Sequence, residues 1–166
     1  MAWKLTTTIE YPAMLDAPKT AVWKAVSAGL RFAARVWHRK VLRGHFKRGA
    51  GARYGYAKRK FRYIRAKVRK GRFDPLVWSG QMRRQLLRAV TITASRKHNR
   101  AIARMKGPRY LRSPAAAAAA GQPDMMAEIK MTDGRDLALI ARAMHRRVVR
   151  TLNDLKRRRK RKRIGT

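Results

Sequence analysis

The sequence predicts an α+β fold, in which a long N-terminal helix and a C-terminal helix pack on a small antiparallel sheet, with a long basic loop and extended termini. Apolar residues recur at helical spacing near both ends of the chain, and shorter segments alternate apolar with polar residues as strands do. The chain has 166 residues, which suits one domain with appendages but would leave two domains short. We therefore assign an extended arm to 1–17, a single domain to 18–155 and a basic tail to 156–166.

The arm and the first helix follow from the spacing of their apolar residues. Trp3 and Leu5 alternate with polar residues, which is typical of a strand or an extended arm. A helix is predicted to begin at Pro18, because proline suits a first helical turn, and to end at Gly44. Its apolar stripe consists of Val22, Val26, Leu30, Ala33 and Trp37.

A row of arginines occupies another face of this helix. Arg31, Arg35, Arg39 and Arg43 recur at every fourth position. Like charges at that spacing oppose an isolated helix by a few tenths of a kcal/mol per pair. Packing or a bound anion must therefore offset the repulsion.

Residues 44–75 have no regular period and are predicted to form a long basic loop, with a helical turn near 57–69. Aromatic side chains among the cations can stack on bases while the cations hold phosphates. An equally favoured alternative is that these aromatic residues anchor the loop on its own sheet or on a neighbouring subunit. The candidate contacts with nucleic acid or an acidic partner in this loop are Arg48, Arg53, Tyr54, Tyr56, Lys58, Arg59, Lys60, Arg62, Tyr63 and Arg65.

An extended step, a short helix and three strands are predicted next. The step begins at Asp74 and Pro75, and the helix over 80–88 turns Met82, Leu86 and Leu87 inward. The alternating segments that predict strands are 90–95, 102–105 and 125–131, and a Pro/Ala loop covers 108–123.

The last helix is predicted to begin at Thr132 or Asp133 as its cap, with Asp136 at its positive end. Its apolar stripe consists of Leu137, Ile140, Ala141, Met144, Val148, Leu152 and Leu155, and another face carries Arg142, Arg146 and Arg150. The tail that follows is either solvated and disordered or ordered by an anion or an assembly. All eight of its consecutive cations are candidate contacts: Lys156, Arg157, Arg158, Arg159, Lys160, Arg161, Lys162 and Arg163.

Charge is the strongest functional signal in the sequence. Lysine and arginine number 44 and aspartate and glutamate only 8, so the net charge is +36. Between 17 and 123 the only acid is Asp74. Such a chain repels itself and needs anions nearby, of which nucleic acid is the usual one. Acidic protein surfaces and anionic lipid are the alternatives.

Catalytic groups do not converge anywhere in the sequence. Cysteine is absent, which excludes thiol nucleophiles, disulfides and cysteine-ligated metals. The four histidines show no metal-binding spacing, and we expect them to be exposed or half-buried. Asp133 and Asp136 are better explained as helix caps than as a catalytic pair. We expect no enzymatic activity and no cofactor, and no apolar run is long enough to span a membrane.

Two series of short motifs occur in order along 20–152. The first comprises His45-Phe46, Tyr54, Arg59, Tyr63, the run Pro75-Leu76-Val77-Trp78-Ser79-Gly80, and Met82. The second comprises the residues 107–111, Glu128-Ile129 and Asp136-Leu137-Ala138. Together they resemble the tailed-bacteriophage virion morphogenesis family, which includes tail-completion, neck and head–tail connector proteins. The resemblance implies an α+β subunit that forms rings between portal and tail in the virion, which is assembled in the host cytoplasm. The net charge is higher, and the tail is more basic, than the resemblance requires.

Two functions from different classes remain open. The first is a structural virion protein, whose apolar surfaces join subunits while its basic surfaces contact packaged double-stranded DNA or acidic portal, capsid or tail proteins. The second is a free nucleic-acid-binding protein of the ribosomal or genome-condensing type. The apolar stripes of the two long helices and the apolar run that begins at Pro75 favour the first. The residues expected at its subunit interface are Trp3, Leu5, Pro75, Leu76, Val77 and Trp78.

Overall fold

The computed structural model describes residues 4–10, 19–74, 76, 80–88, 90–95, 100–106 and 124–164. Two long helices dominate it, and a three-stranded sheet and several short helices complete it. In chain order the elements are β1 (Lys4–Glu10), α1 (Lys19–Val36), a π-helical segment (Trp37–Val41), α2 (Leu42–Gly44), α3 (Ala50–Arg53), α4 (Phe61–Arg69), α5 (Gln81–Arg88), β2 (Thr91–Ser95), β3 (Arg100–Lys106), α6 (Met125–Lys130) and α7 (Gly134–Ile164). The predicted α+β class is confirmed.

The sheet is antiparallel and has the order β1-β3-β2. The strands predicted over 90–95 and 102–105 are confirmed as β2 and β3, and they pair with each other from Thr91 opposite Arg104 to Ser95 opposite Arg100. The N-terminal arm is part of the sheet: β1 pairs along the other edge of β3, with Leu5 opposite Met105. The third strand is therefore at the N-terminus.

The strand predicted over 125–131 is wrong, because this segment forms helix α6. Asp124 begins the helix, since its Oδ1 accepts a hydrogen bond of 3.0 Å from the backbone N–H of Ala127. Met125 and Ile129 are four residues apart, which places both on one helical face, and both pack in the core. A short run of apolar residues fits either period, and here the cap and the packing select the helix.

Helices α1 and α7 pack closely along their apolar stripes. Gly29 permits the approach, because a Cβ atom there would lie 2.5 Å from Cγ2 of Val148 and 3.3 Å from the carbonyl oxygen of Met144. The core around this crossing includes Leu30 and Trp37, and Leu152 packs against it. The predicted stripe of α1 is thus confirmed.

The stripe predicted for α7 is correct at Ile140, Met144, Val148 and Leu152 but wrong at two positions. Leu137 is 56 % exposed, and Ala141 is also exposed. The inward position of the first turn is taken by Asp136, which is buried. A buried carboxylate is compatible with that position because polar partners surround it, as described below.

The basic loop and the basic tail both contain more helix than predicted. Helices α3 and α4 lie within 44–75, and α7 continues to Ile164 through most of the predicted tail. No helix in the described part of the chain is both long enough and apolar enough to cross a membrane.

Several predicted positions lie outside the described residues. They are Trp3, Pro18, Pro75, Val77, Trp78, Ser79 and the Pro/Ala loop over 108–123. Leu76 is described, and it packs inside the core of the subunit with 7 % of its surface exposed. Its backbone is left-handed, with φ of 57°, so the predicted extended step does not hold at this residue.

Candidate nucleic-acid interface

The segment between α2 and α4 is held to the start of α7 by one arginine and two aspartates. Nε of Arg53 donates to Asp133 Oδ2 at 2.6 Å, and Nη2 donates to Asp136 Oδ1 at 2.7 Å. The hydroxyl of Tyr54 donates to the other oxygen of Asp136 at 2.9 Å. Asp133 also caps α7, since its Oδ1 accepts the backbone N–H of Asp136 at 2.7 Å. Capping, as predicted, is therefore only part of what these two aspartates do.

The same contacts shift the pKa values of the paired groups. The hydrogen bond from Arg53 lowers the pKa of Asp133 to about 2, and the hydrogen bond to Asp133 raises the pKa of Arg53. Burial, followed by the hydrogen bond to Asp136, raises the pKa of Tyr54. Asp133 and Arg53 are therefore charged and Tyr54 is neutral at physiological pH.

Three aromatic rings lie against this ion pair. His45 stacks on Tyr54 with ring centroids 3.9 Å apart, and the ring of Tyr56 lies 6.0 Å from each of them. The hydroxyl of Tyr56 shares a hydrogen bond of 2.5 Å with Nδ1 of His45. Burial lowers the pKa of His45 to about 4, against smaller opposing effects of the Met131 backbone and the Asp136 carboxylate.

Helix α6 provides a second attachment point through Glu128. Both Nη atoms of Arg59 donate to its carboxylate, the Nη1 bond to Oε1 measuring 2.9 Å. The backbone N–H of Ala57 donates to the same Oε1 at 3.1 Å. Glu128 is buried, so this charge is stable inside the protein only while Arg59 remains in place.

Four of the ten predicted contacts in the basic segment are therefore engaged inside the subunit. Arg53 and Arg59 hold carboxylates, and Tyr54 and Tyr56 stack on a buried histidine. The two tyrosines are thus not available to stack on bases. The sequence left two interpretations open for these tyrosines, stacking on bases or anchoring the segment. The structure supports anchoring for Tyr54 and Tyr56, and the segment is anchored on the start of α7 and on α6.

The other six predicted contacts in this segment face solvent. The exposed residues are Arg48, Lys58, Lys60, Arg62, Tyr63 and Arg65. Helix α4 also exposes apolar side chains, with Phe61, Ile64 and Val68 spaced at three and four residues. The guanidinium of Arg65 lies 5.5 Å from the centre of the Phe61 ring. This helix therefore presents cations and apolar groups on one surface.

The predicted tail contacts continue the cationic surface of α7. Lys156, Arg157 and Arg158 are exposed on the helix, and the backbone remains helical through Arg159, Lys160, Arg161, Lys162 and Arg163. Arg142, Arg146 and Arg150 are exposed on the preceding turns, as predicted. Leu5 lies in β1, and Leu76 is inside the core rather than on an interface.

Two histidines contradict the sequence-based expectation of an exposed or half-buried position. His45 and His38 are both buried, and Nε2 of His38 lies 2.9 Å from the carbonyl oxygen of Leu86. The sequence held a weak signal for His45, which directly follows the predicted helix end and precedes an aromatic residue. No group of three potential metal ligands comes together within the described residues.

The sequence also did not predict a groove whose cations come from two distant parts of the chain. Arg39, Lys40, Arg43 and Lys47 form one wall, and Arg83 and Leu87 of α5 form the other. The arginines that recur along the first helix were the one indication of this groove in the sequence, because a bound anion can offset their mutual repulsion. Only the fold brings Arg83 opposite them.

Comparisons with protein families, curated proteins and solved structures found no match to this chain.

Proposed function

We propose that this chain is a non-enzymatic structural protein that binds double-stranded DNA through exposed basic surfaces and assembles with copies of itself. The observation that carries the proposal is where the carboxylates lie. Glu128, Asp133 and Asp136 pair with Arg53 and Arg59, so these three carboxylates do not neutralise the exposed cations of α1, α4, α5 and α7. Solvent-facing charge of one sign over most of a surface is the electrostatic signature of a polyanion-binding protein.

The assembly that we propose is a ring in the neck or head–tail connector of a tailed phage, where neighbours are portal, capsid or tail proteins. The resemblance of the motifs supports it, and so do the exposed apolar side chains of α4 and Leu137 of α7. Subunits that each carry +36 repel one another, so such a ring needs DNA or acidic neighbours to be stable.

A free nucleic-acid-binding protein is the second candidate. The exposed basic face of α7, which extends to Lys156, Arg157 and Arg158, supports it, because a long cationic helix can follow a phosphate backbone without any partner protein. The two candidates differ in whether apolar contacts alone join the subunits.

The test is the mass of the nuclease-treated protein in solution, measured by light scattering in about 0.5 M salt, where Debye screening reduces repulsion between subunits. A ring-forming protein gives a discrete oligomer without nucleic acid, whereas a free binding protein stays monomeric. Substituting Phe61→Ser and Val68→Ser should dissociate the oligomer, with Leu137→Ser as a separate probe of α7. An oligomer that dissociates into monomers only after residual nucleic acid has been digested would favour the second candidate, the free nucleic-acid-binding protein.

A further inference from the structure

The groove between the first long helix and α5 is built by an interruption of the helix. At Trp37–Val41 the backbone is π-helical. Such a segment changes the angular positions of the side chains around the helix axis compared with a regular α-helix. Arg39 and Lys40 are exposed in this segment, Arg43 is exposed in α2, and Lys47 is exposed in the turn that follows. Together with α5 they enclose a groove of about 600 Å³.

The two walls are fastened to each other at the base of the groove. His38, within the π-helical segment, makes its hydrogen bond across to the Leu86 carbonyl of α5. Burial lowers the pKa of His38, so the ring is neutral at pH 7 and its Nε2–H donates to that carbonyl. On the other side of α5, Met82 and Leu86 pack in the core. The distance between the two cationic walls is thus set by buried contacts rather than by the cations themselves.

Within the described part of the chain, six residues line the groove: five are cations, and the sixth is Leu87. Among these lining residues there is no carboxylate to neutralise the charge and no amide or hydroxyl side chain to read a base. The described lining residues also include no aromatic ring, which a site for single-stranded nucleic acid uses to stack bases. Protein partners favour an apolar, aromatic centre, and one leucine does not supply it.

We infer that this groove binds the phosphodiester backbone of duplex DNA, without sequence preference. Arg39, Arg43 and Arg83 approach one phosphate row from both walls, because a guanidinium donates two parallel hydrogen bonds to phosphate oxygens. Lys40 and Lys47 add point charges at the rim. The inference rests on the proposed function in that both require DNA binding, but it assigns that binding to a discrete site that the sequence had not selected.

The test compares two variants with equal loss of charge. The groove variant is Arg39→Gln/Arg43→Gln/Arg83→Gln, and the control is Arg104→Gln/Lys106→Gln/Lys130→Gln, at exposed positions of β3 and α6. Binding to a mixed-sequence 20-base-pair duplex is measured by fluorescence anisotropy over a series of KCl concentrations. Each lost phosphate contact reduces the slope of log affinity against log salt by about 0.9. We expect the groove variant to lose about 2–3 in slope and the control less than 1.

Equal losses in the two variants would overturn the groove as a site while leaving DNA binding by the protein intact. A wild-type protein that does not bind the duplex would instead refute the proposed function. Thermal unfolding of both variants shows whether a loss of binding reflects a loss of fold.

A second measurement needs no substitution. Lysine acetylation followed by mass spectrometry should show Lys40 and Lys47 protected several-fold by the duplex, with the exposed Lys130 of α6 as the internal reference. Protection of Lys40 and Lys47 by poly-glutamate but not by the duplex would overturn the inference and assign the groove to an acidic protein. Protection by single-stranded DNA alone would overturn it as well.

Discussion

Acidification below pH 6.5 should destabilise this protein, because His45 is buried in its neutral form. The unfolded chain takes up a proton at this imidazole near the usual pKa of 6.5, whereas the folded chain does so only near 4. Between these two values the unfolded state holds more protons, so the free energy of unfolding falls as the pH falls. The contribution of His45 is complete above pH 6.5 and is lost progressively down to pH 4.

The size of this effect follows from the two pKa values. One pKa unit corresponds to about 1.4 kcal/mol, so the displacement from 6.5 to about 4 corresponds to at most about 3.5 kcal/mol. His38, whose pKa burial also lowers, adds a contribution of the same sign in this range. Asp133, with its pKa at about 2, contributes only below the range of the histidines. A loss of a few kcal/mol is a large part of the stability of a small domain.

The perturbation is His45→Phe, which keeps a ring in the stack on Tyr54 and removes the titrating nitrogens. Urea unfolding followed by tryptophan fluorescence between pH 7.5 and 4.5 gives the free energy of unfolding at each pH. We expect the wild-type curve to fall more steeply than that of the variant, by up to about 1.4 kcal/mol per pH unit. Tyr54→Phe is the control, because it removes the hydrogen bond to Asp136 but keeps the imidazole.

The control should be less stable at every pH by about 1 kcal/mol, with the wild-type pH dependence. Parallel curves for the wild type and His45→Phe would refute the argument, since they would show that the imidazole is hydrated in the folded state. A wild-type stability that does not change between pH 7 and 4.5 would refute it equally.

Four further outcomes test the fold and the basic surfaces. Gly29→Ala should destabilise the protein by about 1–3 kcal/mol despite the better helix propensity of alanine, since the new Cβ meets Val148 at 2.5 Å, and a rise in the melting temperature would contradict this. Trp37→Ala should cost about 3–5 kcal/mol in urea unfolding, because the side chain is fully buried, and an unchanged midpoint would reject its place in the core. Arg59→Met should cost about 3–5 kcal/mol by leaving the buried carboxylate of Glu128 without its arginine, and a variant as stable as the wild type in urea would contradict this. Deleting Lys156–Arg163 should flatten the salt dependence of DNA binding and leave self-association unchanged, whereas an unaltered slope would point to a protein partner for the tail.

Local pattern was sufficient for the long elements of this protein. The apolar residues of α1 recur over five turns, and such a long series at helical spacing fits no other period. The β2–β3 hairpin is equally local, because its strands adjoin in sequence and their side chains alternate. The cap at Asp133 needs only its neighbours within the first turn of α7. The charge of +36, and with it the expectation of an anionic partner, is a property of composition alone.

Tertiary structure decided the rest, because the deciding contacts join residues that are far apart in the chain. Six apolar-rich residues over Met125–Lys130 fit a strand or a helix, and burial of Ile129 in the core selected the helix. Whether Tyr54 faces DNA or the protein depends on Asp136, which lies 82 residues further on. No local pattern carries that information, since a tyrosine among arginines suits both environments equally well. The opposed walls of the cationic groove are likewise a consequence of how α5 docks on the first helix, and the buried His38–Leu86 hydrogen bond that joins them spans 48 residues of sequence.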